Sequence, residues 1–197
     1  MFRLASLLAA TLPVLLLGPG CAGAVDRTFD TQDGAIRVTT VAEGLSHPWA
    51  IAFLPGGGML ATERAGNLRY ISGAGEVSAP LAGVPAVDAR GQGGLLDVAL
   101  DPDFAASRRV YLSFSEAGDG GNGTAVARGT LRPDNTGLED VEVIFRQQPK
   151  VDSTGHFGSR LVFGRDGALF VTLGDRQSSR YRGEAQNLAT HIGKIVR

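Results

Sequence analysis

Apolar residues along this chain fall into short clusters separated by glycine and proline, without the 3.6-residue spacing that long amphipathic helices need. Ile51-Ala52-Phe53, then Pro55 to Gly58, then Met59-Leu60-Ala61-Thr62 predict strand, tight turn and strand. Glycine and proline supply the turn dihedrals, and the apolar runs flank them. The phrase returns as Leu161-Val162-Phe163, Gly164 to Gly167 and Ala168 to Thr172. A middle copy runs Val98-Ala99-Leu100, Asp101-Pro102-Asp103 and Val110 to Phe114. Phe53, Leu100 and Phe163 mark equivalent positions, 47 and then 63 residues apart, and the longer step is assigned to loops such as Ala117 to Gly123.

Further strand-like runs follow each copy: Asn67 to Ser72 and Glu76 to Ala82 after the first, Thr124 to Arg132 and Val141 to Arg146 after the second. Four strands per unit at this repeat length predict an all-β fold of β-propeller blades, each of which needs neighbours to bury both faces. The third unit runs into Ile192 to Arg197 as a strand being entered. Since propellers have at least about four blades, the chain is read as the N-terminal part of a longer protein, about two and a half blades. Ahead of the first unit, Ala35 to Val41 alternates apolar and polar residues as a half-buried strand does. It has no unit of its own and is expected to complete the last blade, closing an edge.

Residues 1–24 read differently. Arg3, an apolar run from Leu4 to Leu17, the breakers Pro19 and Gly20, and Ala22-Gly23-Ala24 have the layout of a cleavable signal peptide. The mature chain, residues 25–197, is then periplasmic or secreted. A lipid anchor on Cys21 is the less favoured alternative, because Gly18-Pro19-Gly20 makes a poor lipoprotein cleavage site. Neither this run nor any later one reaches the roughly 20 apolar residues of a membrane span. Cleavage after Ala24 removes the single cysteine, and with it disulfides, thiolate metal sites and a cysteine nucleophile.

Composition narrows the ligand. Glycine, at 28 of 197 residues, is about twice its usual share, so turns are plentiful. Nineteen basic against 20 acidic residues give a net charge of -1, which leaves no broad basic surface for nucleic acid and no acidic tail. The expected ligand is small.

Three stretches are more specific: His47 to Phe53 leading to Thr62-Glu63-Arg64; Arg90-Gly91-Gln92-Gly93-Gly94-Leu95-Leu96-Asp97 running on to Phe104; and Gly155-His156-Phe157-Gly158-Ser159-Arg160 leading to Leu173-Gly174-Asp175-Arg176. Together with Ala185 to Arg197 they resemble the soluble quinoprotein glucose and aldose sugar dehydrogenases over nearly all of the mature chain. The resemblance implies a six-bladed propeller that holds pyrroloquinoline quinone and calcium near its axis and oxidises an aldose sugar to its lactone, passing electrons to an external acceptor. It also implies His156 as the general base and Gln92 as a cofactor contact.

The residue chemistry agrees. Oxidation of a hemiacetal needs a base for the hydroxyl proton, and histidine suits neutral pH. Gln92 lies in a Gly-Gln-Gly-Gly loop where the backbone can approach a flat ligand closely, and its amide both donates and accepts. Gly155 departs from relatives that carry a polar side chain before the base, so support for His156 is sought at Asp152, Ser153 or Arg160. Asp175 and Arg176 stand at a strand end, read either as channel-facing groups or, by slight preference, as an ordinary aspartate turn. Asp97 and Asp101-Pro102-Asp103 are read as turn chemistry, and His47 and His191 as structural. No carboxylate cluster suits the six to eight oxygens calcium takes, so no metal ligand is assigned and calcium ligands are expected outside this chain. Two other readings stand beside the dehydrogenase: a non-catalytic binding propeller of the same ancestry, and a calcium-dependent lactone hydrolase.

Overall fold

A computed structural model describes residues 24–197; the expected signal peptide lies almost wholly outside the described residues. Twelve strands dominate it. β1 (Asp26–Thr31) and β2 (Gly34–Thr39) form an antiparallel hairpin, with Phe29 opposite Ile36 and Arg27 opposite Val38. Among the described residues, those up to Thr40 form one compact unit and Val41–Arg197 another. The strand expected from Ala35 is therefore not without a partner. Asp26 to Thr31 supplies it, joined by a short turn at Gln32 and Asp33 that ends on Gly34 at φ 123°.

The second unit is a run of antiparallel sheets. The first contains β3 (Pro48–Phe53), β4 (Met59–Glu63) and β5 (Asn67–Ile71). The second contains β6 (Leu95–Leu100), β7 (Arg109–Gly118), β8 (Gly121–Leu131) and β9 (Leu138–Arg146), with a one-turn helix, α1 (Phe104–Ser107), between β6 and β7. The third contains β10 (Gly158–Phe163), β11 (Leu169–Leu173) and β12 (Ile195–Val196), with a 3-10 turn at Arg182–Gln186 between the last two.

The middle sheet shows why blades stack. Val110, Leu112 and Phe114 of β7, with Ala125 and Ala127 of β8, pack toward Leu60, Leu68 and Ala50 of the first sheet. The intervening Tyr111 and Val126 pack toward Leu161, Val171 and Leu173 of the third. Alternate residues of one strand point to opposite faces, so a strand covered on both sides reads as a continuous apolar run.

Two expectations need correction. Glu76 to Ala82 is not a fourth strand: it follows β5 through an isolated bridge at Ile71 and Val77 and the spaced bonds Ser78 N to Tyr70 O and Leu81 N to Leu68 O. Its Pro80 has no N–H to give, and the Ser78 hydroxyl takes the Tyr70 N–H that a backbone carbonyl would accept in a ladder. The expected loop from Ala117 to Gly123 is in fact the tip of the β7–β8 hairpin, closed by Asp119-Gly120 with Gly118 paired to Gly121. Asp-Gly between strands is a strong hairpin signal.

One device recurs in all three sheets. The register slips between Pro48 and Ile51, between Leu95 and Val98, and between Gly158 and Leu161. In each case two residues of the leading strand oppose one residue of the next, which is a β-bulge. The opposing residues are Thr62, Ser113 and Thr172, and each hydroxyl accepts the N–H of the second bulge residue: Ala50 at 3.0 Å, Asp97 at 2.9 Å and Arg160 at 3.0 Å. The Thr62 hydroxyl also donates to Leu96 O at 2.6 Å, tying the first blade to the second. Thr62→Val keeps the shape but strands two buried backbone groups, so denaturant unfolding should show a loss of about 2 kcal/mol. Stability unchanged from wild type would mean that the hydroxyl does not lock the bulge.

Candidate active site

The bulges aim side chains at a common place. Trp49, Leu96 and Ser159, the first bulge residue of each blade, line one cleft of about 340 Å³ together with Arg64, Gln92 and Phe157. Ser159 sits at φ 90° and is fully buried, and its Oγ has no hydrogen-bond partner among the described residues.

At the rim stands His156, on the turn that leads into β10, its side chain half exposed. Its Nδ1 lies 2.7 Å from Asp175 Oδ1, beyond the end of β11. A carboxylate accepts only, so Nδ1 carries the proton and Nε2 is left as the basic nitrogen. Asp175 Oδ1 also accepts the Gln177 N–H at 2.9 Å. That bond first, and the histidine second, hold the Asp175 carboxyl below the usual carboxylate range, so it is ionised at neutral pH.

Gln92 joins this pair from 64 residues away. Its Oε1 accepts the His156 N–H at 2.9 Å, and its own N–H donates to Thr154 O at 2.8 Å. The structure therefore brings both site residues expected from sequence, Gln92 and His156, onto one rim. Gly155 gains a physical account as well: a Cβ there would lie 2.0 Å from Gln177 Oε1, which already fills the space a side chain would take. The Gln177 amide in turn accepts from Gln92 Nε2 at 3.5 Å.

The support for His156 is not where it was sought. Arg160 pairs with Asp97 at 2.9 Å and lies over Trp49, 5.7 Å from the ring centroid. Ser153 donates its hydroxyl to Arg176 O. The partner of the histidine is Asp175, which is therefore more than an ordinary aspartate turn. Asp97 is also more than a turn residue: buried, it accepts the Leu161 N–H at 2.7 Å as well as Arg160, joining the second blade to the third. Asp101 accepts the Asp103 N–H at 2.9 Å within its turn. His47 lies beside the Ser46 hydroxyl, and His191 accepts the Gln148 N–H through Nδ1 at 2.9 Å. Arg176, read at sequence level as a channel-facing group or a turn residue, is fully buried.

Among the described residues no group of three or more His, Cys, Asp or Glu is placed to hold a metal ion. No described helix is long and apolar enough to cross a membrane.

The comparisons with known proteins point the same way. Residues 45–197 match the Glucose / Sorbosone dehydrogenase family. Aldose sugar dehydrogenase YliI of Escherichia coli strain K12 is 51% identical over 164 residues, covering 82% of this chain and 43% of that protein. A crystal structure of a glucose dehydrogenase aligns with TM-score 0.75 at 54% identity, over 80% of this chain and 45% of that one. The pyrroloquinoline quinone-bound aldose sugar dehydrogenase of Streptomyces coelicolor aligns with TM-score 0.71 at 29% identity, over 90% and 49%. The chain thus spans less than half the length of these relatives. With its antiparallel blades and a match that runs from residue 45 to residue 197, the chain belongs to the glucose and sorbosone dehydrogenase family.

Proposed function

We propose that the protein is a quinoprotein oxidoreductase that oxidises aldose sugars to lactones, with His156 as general base, Gln92 as a cofactor contact, and an external electron acceptor. In the same proposal residues 1–24 direct export to the periplasm or beyond, and residues 25–197 are the N-terminal part of a six-bladed propeller. The observation that carries the reading is the His156–Asp175 pair set beside Gln92 at the mouth of the cleft.

The chemistry follows from that pair. As a sugar hemiacetal is oxidised, its carbon loses a hydride and its hydroxyl loses a proton. The proton goes to His156 Nε2, since Nδ1–H is engaged by Asp175, and the imidazolium so formed lies against an ionised carboxylate. Gln92 holds the histidine through its backbone N–H and keeps the base from swinging away. Pyrroloquinoline quinone, when bound, supplies the hydride acceptor, with calcium as Lewis acid. The donor set in hand suits one side of a flat, polyanionic heterocycle: the Trp49 ring, the Arg64 guanidinium, the Gln92 amide and the unpartnered Ser159 hydroxyl share its cleft. Calcium ligands and further carboxylate-gripping residues are expected in later blades.

The test is dye reduction by the full-length protein reconstituted with the quinone and calcium, across a panel of aldoses. Reduction by at least one aldose is expected. None, with the quinone bound, favours a binding module, and lactone hydrolysis without the quinone favours the hydrolase. Gln92→Ala is expected to weaken quinone retention in a titration of the apoprotein while leaving the unfolding midpoint in place. Unchanged affinity would return Gln92 to the status of a turn residue.

A further inference from the structure

We propose that Arg176 is a positioning residue for this reaction, its guanidinium holding the turn from Ser153 to Phe157 in the one shape that presents His156. The inference rests on the reading of His156 as the base.

The turn needs holding. His156 has φ 46°, and across from it Arg176 and Gln177 have φ 66° and 58°. Left-handed backbone at residues other than glycine costs on the order of 1–2 kcal/mol each, and persists where the surroundings over-determine it.

Arg176 supplies that constraint. Its side chain is fully buried, and four of its five N–H groups are used. Nε donates to Gly155 O at 3.1 Å and Nη2 to Ser153 O at 2.6 Å, the two carbonyls that flank the approach to His156. Nη1 and Nη2 donate to Asn122 O at 3.0 Å and Asn122 Oδ1 at 2.6 Å, across in the second blade. The guanidinium lies 4.1 Å from the centroid of the Phe157 ring, the residue just past the base. The Ser153 hydroxyl donates back to Arg176 O, and Gly174 N donates to Phe157 O at 3.1 Å, so the two strands of the site clasp each other on both sides of the histidine.

The anchor itself is fixed. Asn122 exchanges two backbone hydrogen bonds of 3.0 Å with Val151 and donates Nδ2 to Asp88 Oδ2 at 2.9 Å. The base is thereby tied through Arg176 to the neighbouring blade.

Stabilisation is a poor account of such an arrangement. Among the described residues no carboxylate is hydrogen-bonded to Arg176; Asp88, which bonds Asn122, favours the charged guanidinium only through space. Burial lowers the arginine to about 10, still charged at neutral pH. Desolvating a cation without a bonded carboxylate is costly, whereas a planar fork that reaches three backbone segments at once supplies geometry that lysine cannot reproduce.

The experiment uses the full-length protein with quinone and calcium, and compares Arg176→Lys and Arg176→Ala with His156→Ala. In both arginine variants kcat should fall about 100-fold, as expected for a misplaced catalytic group, while the sugar KM and quinone affinity hold. Guanidinium ion added at millimolar concentration should restore part of the kcat of Arg176→Ala and none of that of His156→Ala. In proton NMR the downfield Nδ1–H resonance of His156 should be present in wild type and lost in Arg176→Lys. If Arg176→Ala does not fold, Arg176→Lys decides alone on kcat and the resonance. Wild-type kcat with the resonance intact in Arg176→Lys overturns the inference. Wild-type activity in His156→Ala removes the base itself and this inference with it, so the two failures are distinguishable.

Discussion

His156→Ala is expected to lower kcat for aldose oxidation by about 10²–10⁴-fold, the usual cost of removing a positioned general base. The imidazole is half exposed and touches the core little, so the variant should fold and bind quinone as wild type does. The loss should therefore appear in kcat and kcat/KM together, with the sugar KM little changed, because the proton is taken only in the transition state. A base acting from Nε2 also predicts that His156→Gln fails as Ala does, since an amide cannot hold the proton. Steady-state dye reduction with both variants decides it. Wild-type rates in either would place proton removal elsewhere.

How much of this was legible in the sequence differs between fold and site. The blades were legible because each is punctuated: an apolar run, a Gly or Pro turn and an apolar run, repeated at Phe53, Leu100 and Phe163. Periodicity fails where the backbone bonds through side chains, as at Ser78, and it does not separate a tight Asp-Gly hairpin tip from a loop, as at Asp119-Gly120. The bulges were not seen at all. Their signal was present as a hydroxyl at the same place in each copy, Thr62, Ser113 and Thr172, but strand alternation says nothing about an extra residue. At the site, Gln92 and His156 were legible from motif and resemblance. The bond between them, spanning 64 residues, was not, nor was the burial of Arg176, because spacing along a chain does not encode a contact between blades.

Asp175 marks the limit most clearly. Read as part of a Gly-Asp turn, it does bond the N–H two residues on, as such turns do, and this local role hides the one toward His156. The two roles share a single atom, Oδ1: the turn fixes the carboxylate, and the fixed carboxylate orients the ring. Local turn chemistry and the proposed catalytic geometry are here one arrangement.

That arrangement sets the order of effects for two variants at this position. Asp175→Ala removes the acceptor and lets the ring reorient, while leaving either tautomer free to form; kcat should fall about 10-fold, less than for loss of the base itself. Asp175→Asn should lose less, under about 10-fold, because an amide oxygen in the place of Oδ1 accepts from both the Gln177 N–H and Nδ1–H and so keeps the same tautomer. What the amide gives up is the negative charge that stabilises the imidazolium as it forms. Both variants keep the backbone path of the turn within reach: alanine loses the bond to Gln177 N–H, whereas asparagine retains an oxygen that serves it and the ring together. The asparagine variant is thus expected to be both the more stable of the two to denaturant and the more active. Steady-state rates and unfolding midpoints measured on the same preparations decide the matter. Activity in Asp175→Asn no higher than that of Asp175→Ala would show that this shared oxygen does not set the histidine tautomer.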